Sequence, residues 1–84
     1  MYSKKTIYKK ARNAGYAVEH GFQHYHSGGI VSNYRGERFT GYMVYDPTGY
    51  AVWGSYDQYY DHLWTLEDVE NFIKGVYEEN GLKY

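Results

Sequence analysis

Cysteine is absent from this chain, proline occurs only at Pro47, and leucine only at Leu63, Leu66 and Leu82. Without cysteine there is no disulfide framework, no thiolate nucleophile and no cysteine-ligated zinc or iron–sulfur site. A reducing compartment, the cytoplasm, is the expected address. No stretch approaches the roughly 18 apolar residues of a membrane span, and the lysine-rich start is not followed by the apolar run of a signal peptide. Neither membrane insertion nor export by a visible signal is expected.

Catalytic templates are missing as well. No glycine-rich phosphate loop follows a strand and opens a helix, no carboxylate pair falls on an expected cleft, and Ser27, Ser32 and Ser55 lack a nucleophile-elbow context. No catalytic residue is assigned, and neither a metal nor another cofactor is expected.

What the chain does have is aromatic rings: 21% of its 84 residues, as 13 Tyr, 3 Phe and 2 Trp. With so few leucines, tyrosine must build part of the core. The length supports a single domain over residues 1–84, because much shorter chains seldom hold a core of their own. Charge is segregated. Residues 1–38 carry seven basic and two acidic side chains, whereas residues 39–84 carry two basic and eight acidic ones. Such a dipole suits an oriented partner, and solvated helix faces also produce one.

Local signals place a helix at each end. Ser3 caps a run from about Lys4 to Ala14 that carries Ile7, Ala11 and Ala14 as an apolar stripe, and Gly15 ends it. Thr65 and Asp68 form a capping box for a second helix, onto whose Val69 Trp64 can fold. Leu66, Val69, Phe72, Ile73 and Val76 are its expected buried face, Asn80-Gly81 its end, and Leu82 folds back on Tyr77. Gly75 within that helix costs about 1 kcal/mol against alanine, which predicts a close backbone approach there.

Between the helices the period is two. Tyr16 to Phe22, Ile30 to Tyr34, Phe39 to Tyr45 and Tyr50 to Ser55 read as strands, the last two joined through Asp46-Pro47-Thr48-Gly49. The expected fold is therefore α+β in the order α-β-β-β-β-α: an antiparallel sheet of about four strands flanked by N- and C-terminal helices. Residues 56–64 form the longest connection, aromatic and acidic, where function is expected on a rigid scaffold.

Four chemical readings follow. His20, His24 and His26 share parity on a strand, and His24 with His26 could reach one ion, given His62 or Asp61 as a third ligand; without a diagnostic spacing, partly exposed strand histidines are the favoured reading. A histidine-dependent ribonuclease is the second. The order helix, strands, helix with a histidine soon after the first strand, here Gly21-Phe22-Gln23-His24, resembles the small HicA-type toxin ribonucleases. Gly49-Tyr50-Ala51-Val52 followed by Thr65-Leu66-Glu67-Asp68 is similar to a fragment of HicB-type antitoxins. No residue role is carried over from either.

Third, Tyr34, Arg35 and Arg38 have the chemistry to stack unpaired RNA or single-stranded DNA bases and hold phosphates, although the chain lacks the usual basic excess. Fourth, and favoured, is contact with another protein. Thirteen tyrosines exceed what so small a core can bury with every hydroxyl paired, since an unpaired buried hydroxyl costs about 1–3 kcal/mol. The expected contact patch is Tyr56, Asp57, Tyr59, Tyr60, Asp61 and Trp64 on a monomer or homodimer. The implied role is a small non-enzymatic binding protein. By analogy with small inhibitors carried by phages and mobile elements, its target would be a host or defence enzyme that processes nucleic acid.

Overall fold

The computed structural model describes residues 1–84. Helix α1, Lys4–Asn13, begins where the Ser3 hydroxyl accepts from the Thr6 amide, and α2, Leu66–Glu79, begins with a complete Thr65/Asp68 capping box. Both helices end alike. Gly15 and Gly81 take positive φ, and the amides of Tyr16 and Leu82 reach back to the carbonyls of Ala11 and Tyr77 at 2.9 and 2.8 Å. Glycine is suited to this left-handed position because a Cβ would crowd the preceding carbonyl.

Two strands pair antiparallel: β1, Ala17–Phe22, and β2, Thr40–Tyr45, with Val18 opposite Val44 and Gly21 opposite Gly41. Alternation sends Val18 and Val44 to the face covered by the helices. There Val44 joins Ile7 and Ala11 of α1 and Val69 and Ile73 of α2, all fully buried. Each buried Val or Ile there contributes about 1.5–3 kcal/mol. The hydroxyl of Tyr77 in α2 donates to the Lys10 carbonyl of α1 at 2.8 Å, tying the helices together.

The opposite face carries Glu19, Gly21, Gly41, Met43 and Tyr45. It is covered by the segment leading to α2, whose His62 is buried and has a left-handed φ of 51°. A Cβ on Gly21 would stand 3.2 Å from His62 Nε2, and one on Gly41 would collide with the His62 carbonyl. The facing glycines therefore form the seat on which His62 rests.

The sheet has two strands, which corrects the expectation of about four. Residues 30–34 form only isolated bridges, and to residues that flank the pair: His24 with Ile30 and Ser32 with Arg38. The Asn33 carboxamide oxygen then accepts from the amides of Arg35 and Glu37, turning the chain before a ladder can extend. Residues 50–55 fail for a different reason. Ala51 bridges Tyr45 and the Val52 amide reaches the Val44 carbonyl at 2.8 Å, but the Ser55 amide turns back onto the Val52 carbonyl. The Ser55 hydroxyl accepts from the Val44 amide, and Trp64 takes the rest of the β2 edge by exchanging backbone bonds with Tyr42.

Three details of α2 also differ from expectation. Nothing lies within 4 Å of a Cβ built on Gly75, so no close approach accounts for that glycine. The Leu82 side chain stays exposed although its amide folds back, whereas Trp64 packs against the core cluster that includes Val69 and also on Phe72, 5.3 Å between centroids. Polar Glu70 is buried beside Val69 and Ile73, where its carboxylate accepts from the Tyr2 amide at 3.1 Å and the Tyr84 hydroxyl at 3.2 Å. No helix is long and apolar enough to cross a membrane.

Candidate functional site

The connection from Trp53 to Trp64 is a sequence of pinned turns. Gly54 at a positive φ lets its amide reach the Tyr56 carbonyl at 3.0 Å, and the Leu63 amide returns to the Ser55 carbonyl at 2.9 Å. The Asp57 carboxylate accepts from the amides of Tyr59 and Tyr60, both at 2.8 Å, and those bonds hold its carboxyl below the usual aspartate range. Residues 59–61 then pair with residues 24–26: the His26 amide donates to the Tyr59 carbonyl at 2.9 Å and the Asp61 amide to the His24 carbonyl at 3.0 Å.

This scaffold displays two groups of rings. Trp53 meets Tyr56 edge-on at 5.3 Å, and Tyr56 meets His26 at 6.3 Å. Tyr60 meets Tyr25 at 5.1 Å and Tyr59 at 6.3 Å. The backbone pairing joins the two groups into one ribbon. Trp53 keeps 67% and Tyr59 61% of their surface exposed, whereas Tyr56 and Tyr60 are half-buried. Across the whole chain only the hydroxyls of Tyr45, Tyr77 and Tyr84 find a partner within the protein. The other ten end in solvent-facing or unpaired positions.

Of the residues singled out in sequence, Tyr56, Asp57, Tyr59 and Tyr60 lie on this ribbon. Trp64 stands apart, half-buried against the core. Asp61 turns inward, accepting from the His24 amide at 2.7 Å. Trp53 and Tyr25, which sequence reasoning did not include, complete the ribbon; the signal for Trp53 was a tryptophan next to a glycine at the end of a strand-like run.

Beneath the ribbon lies a polar cluster. His62 Nε2 is 2.7 Å from Glu19 Oε1, and His62 Nδ1 is 3.0 Å from Asp61 Oδ1. His24 Nδ1 is 3.7 Å from the same oxygen and 2.8 Å from the Phe22 carbonyl. Burial acts to raise the Asp61 carboxyl, but the His62 contact, the His24 amide and the two imidazoles outweigh it and hold it below the usual range. The other strand histidines are elsewhere. His26 Nε2 contacts the Asp57 carbonyl at 2.7 Å, and His20 stacks on Tyr42 at 4.5 Å beside Lys4. A shared His24/His26 site is therefore not formed; His24 meets Asp61 and His62 instead.

The residues named for nucleic acid lie on the 33–38 turn. Tyr34 is 90% exposed with the Arg35 guanidinium over its ring at 5.5 Å, and Arg38 lies over Phe22 at 5.6 Å.

No protein-family model, no curated protein and no solved structure matches this chain. The likenesses to HicA-type and HicB-type proteins thus have no support beyond the short segments that carry them.

Proposed function

We propose that the protein is a small non-enzymatic binding module that docks the aromatic ribbon of Trp53, Tyr56, Tyr59 and Tyr60 on another protein. The observation that carries this reading is the pairing of exposure with rigidity: two exposed rings, Trp53 and Tyr59, sit with half-buried Tyr56 and Tyr60 on a segment fixed by backbone bonds at 53–56 and 57–61. Rigid amphipathic rings lose little entropy on contact, and their unpaired hydroxyls offer donors and acceptors at the rim. The Asp57 carboxylate stays ionised beside them, so a basic partner surface fits best. An enzyme that handles nucleic acid presents such a surface, and inhibition of one by occupation of its basic groove is the role we favour.

The test is capture from nuclease-treated extract on immobilised protein, run beside a Trp53→Ala/Tyr59→Ala variant with an unchanged circular dichroism spectrum. The expected result is a distinct protein retained by the wild type and lost by the variant. Equal retention by both would remove the ribbon from consideration. Salt-sensitive retention of labelled RNA, lost with Arg35→Ala/Arg38→Ala, would instead move the function to the 33–38 turn.

A further inference from the structure

The cluster beneath the ribbon holds an electrostatic contradiction. Nε2 of His62 faces the Glu19 carboxylate at 2.7 Å, a distance that requires a proton on that nitrogen. In a neutral imidazole the proton on Nε2 leaves Nδ1 as a bare lone pair. That Nδ1 lies 3.0 Å from the Asp61 carboxylate but off the line of a hydrogen bond, and no other polar atom pairs with it. The side chain is only 9% exposed, so bulk solvent does not reach that nitrogen. A buried lone pair crowded beside a half-buried carboxylate oxygen calls for a cation beside them.

We propose that His24, Asp61 and His62 bind one divalent transition-metal ion of the zinc class through the two Nδ1 atoms and an Asp61 carboxylate oxygen. One ligand atom from each of the three residues lies within 4.8 Å of the others. Zinc bonds to imidazole and carboxylate run about 2.0–2.2 Å, which puts neighbouring ligand atoms of a tetrahedron about 3.3–3.5 Å apart. The two edges through Asp61, 3.0 and 3.7 Å, bracket that value. Two nitrogens and one oxygen form a donor set suited to zinc and its neighbours and unsuited to magnesium or calcium.

The surroundings have the form of a metal site's outer shell. Glu19 holds the far nitrogen of His62, the carboxylate–histidine arrangement that fixes the tautomer and leaves Nδ1 to ligate. The Gly21/Gly41 seat and the Gln23 carboxamide, 3.4 Å from the His62 carbonyl, fix the residue itself. His24 must exchange its Phe22 carbonyl contact for the ion, and because its side chain is 40% exposed it has room to do so. Three protein ligands leave a fourth position for water on the His24 side. A proton on Nδ1 would compete for the same lone pair, and it would lie off the line to Asp61.

The test uses untagged chain stripped with chelator, then titrated with zinc, and with cobalt as a spectroscopic probe. We expect one ion per chain, a raised thermal midpoint, and a cobalt spectrum of low-symmetry four-coordination. His24→Ala, at a partly exposed ring, should abolish uptake, His26→Ala should leave it unchanged, and Glu19→Gln should weaken it about 10- to 100-fold. Failure of the folded wild type to take up zinc, or equal uptake by His24→Ala, would overturn the proposal. Should His24→Ala not fold, nitrogen NMR of the wild-type His62 ring decides: loss of the Nδ1 proton or lone-pair signal to metal supports the site, and a doubly protonated ring in excess zinc refutes it.

Discussion

Gly41 in β2 faces the main-chain carbonyl of His62 so closely that no side chain fits between them. Across the ladder, Gly21 leaves a gap of 3.2 Å between a would-be Cβ and His62 Nε2. The two positions differ in what must yield. At Gly41 the obstacle is backbone, and at Gly21 it is an imidazole that can shift by a few tenths of an ångström. Gly41→Ala should therefore destabilise the fold by about 1–3 kcal/mol or more, as overpacking does, and Gly21→Ala by less. Urea denaturation of both variants checks the order; equal effects would mean that His62 is not seated as described.

Gly75 gives the opposite result. It lies inside α2 with nothing near the position of a Cβ, so its only consequence is the helix-propensity cost. Gly75→Ala should stabilise the protein by about 1 kcal/mol, read as an upward shift of the urea midpoint at constant slope. A loss of stability would point to a contact at this position that the isolated chain does not make.

Acid should loosen the corner where the chain ends meet. Burial acts to raise the Glu70 carboxyl, but the Tyr2 amide, the Tyr84 hydroxyl, Lys74 and the terminal amine overcome it and hold it below the usual glutamate range. A carboxyl lowered in the folded state adds stability that is present above the unfolded value, about pH 4.3, and is lost as pH falls below it. The same network pushes the Tyr84 phenol upward, through burial first and the Glu70 charge second. Thermal midpoints measured from pH 7 downward should fall below about pH 4, and less steeply for Glu70→Gln. An unchanged slope in the variant would take Glu70 out of the acid response.

Much of this was legible because helix ends are local. Ser3, Thr65 with Asp68, Gly15 and Gly81 act on groups within a few residues, and each does in the structure what its position implies. The sheet was less legible. Alternation marks residues 50–55 as strand-like, but their partner edge is taken by the Ser55 hydroxyl and by Trp64, and no local pattern announces that competition. Glycine was misread at Gly75, while the two glycines that permit a close approach, Gly21 and Gly41, sit in strands where alternation hides them.

The polar cluster shows the same limit. His24, Asp61 and His62 were each named from sequence, yet the pair placed on one ion there was His24 with His26, with His62 or Asp61 only as a third ligand, because parity is visible and a contact across 37 residues is not. Parity also fails locally: the chain turns at residues 26–28, where the Gly28 amide bonds back to the Tyr25 carbonyl, and His26 is directed to Asp57. The ribbon was partly visible, since tyrosines in excess of what a small core can pair must be left unpaired somewhere. That Trp53 and Tyr25 belong with them depends on the turn at Gly54 and the bridge from Tyr25 to Tyr60.

The most direct measurement of the binding account is calorimetric titration of the captured partner with wild-type protein, Trp53→Ala and, as a control off the ribbon, Tyr50→Ala. A rigid aromatic anchor near the centre of an interface costs about 2 kcal/mol or more on truncation, roughly a thirtyfold loss of affinity. We predict that loss for Trp53→Ala and none for Tyr50→Ala. Equal affinities for wild type and Trp53→Ala would contradict the ribbon as the docking surface.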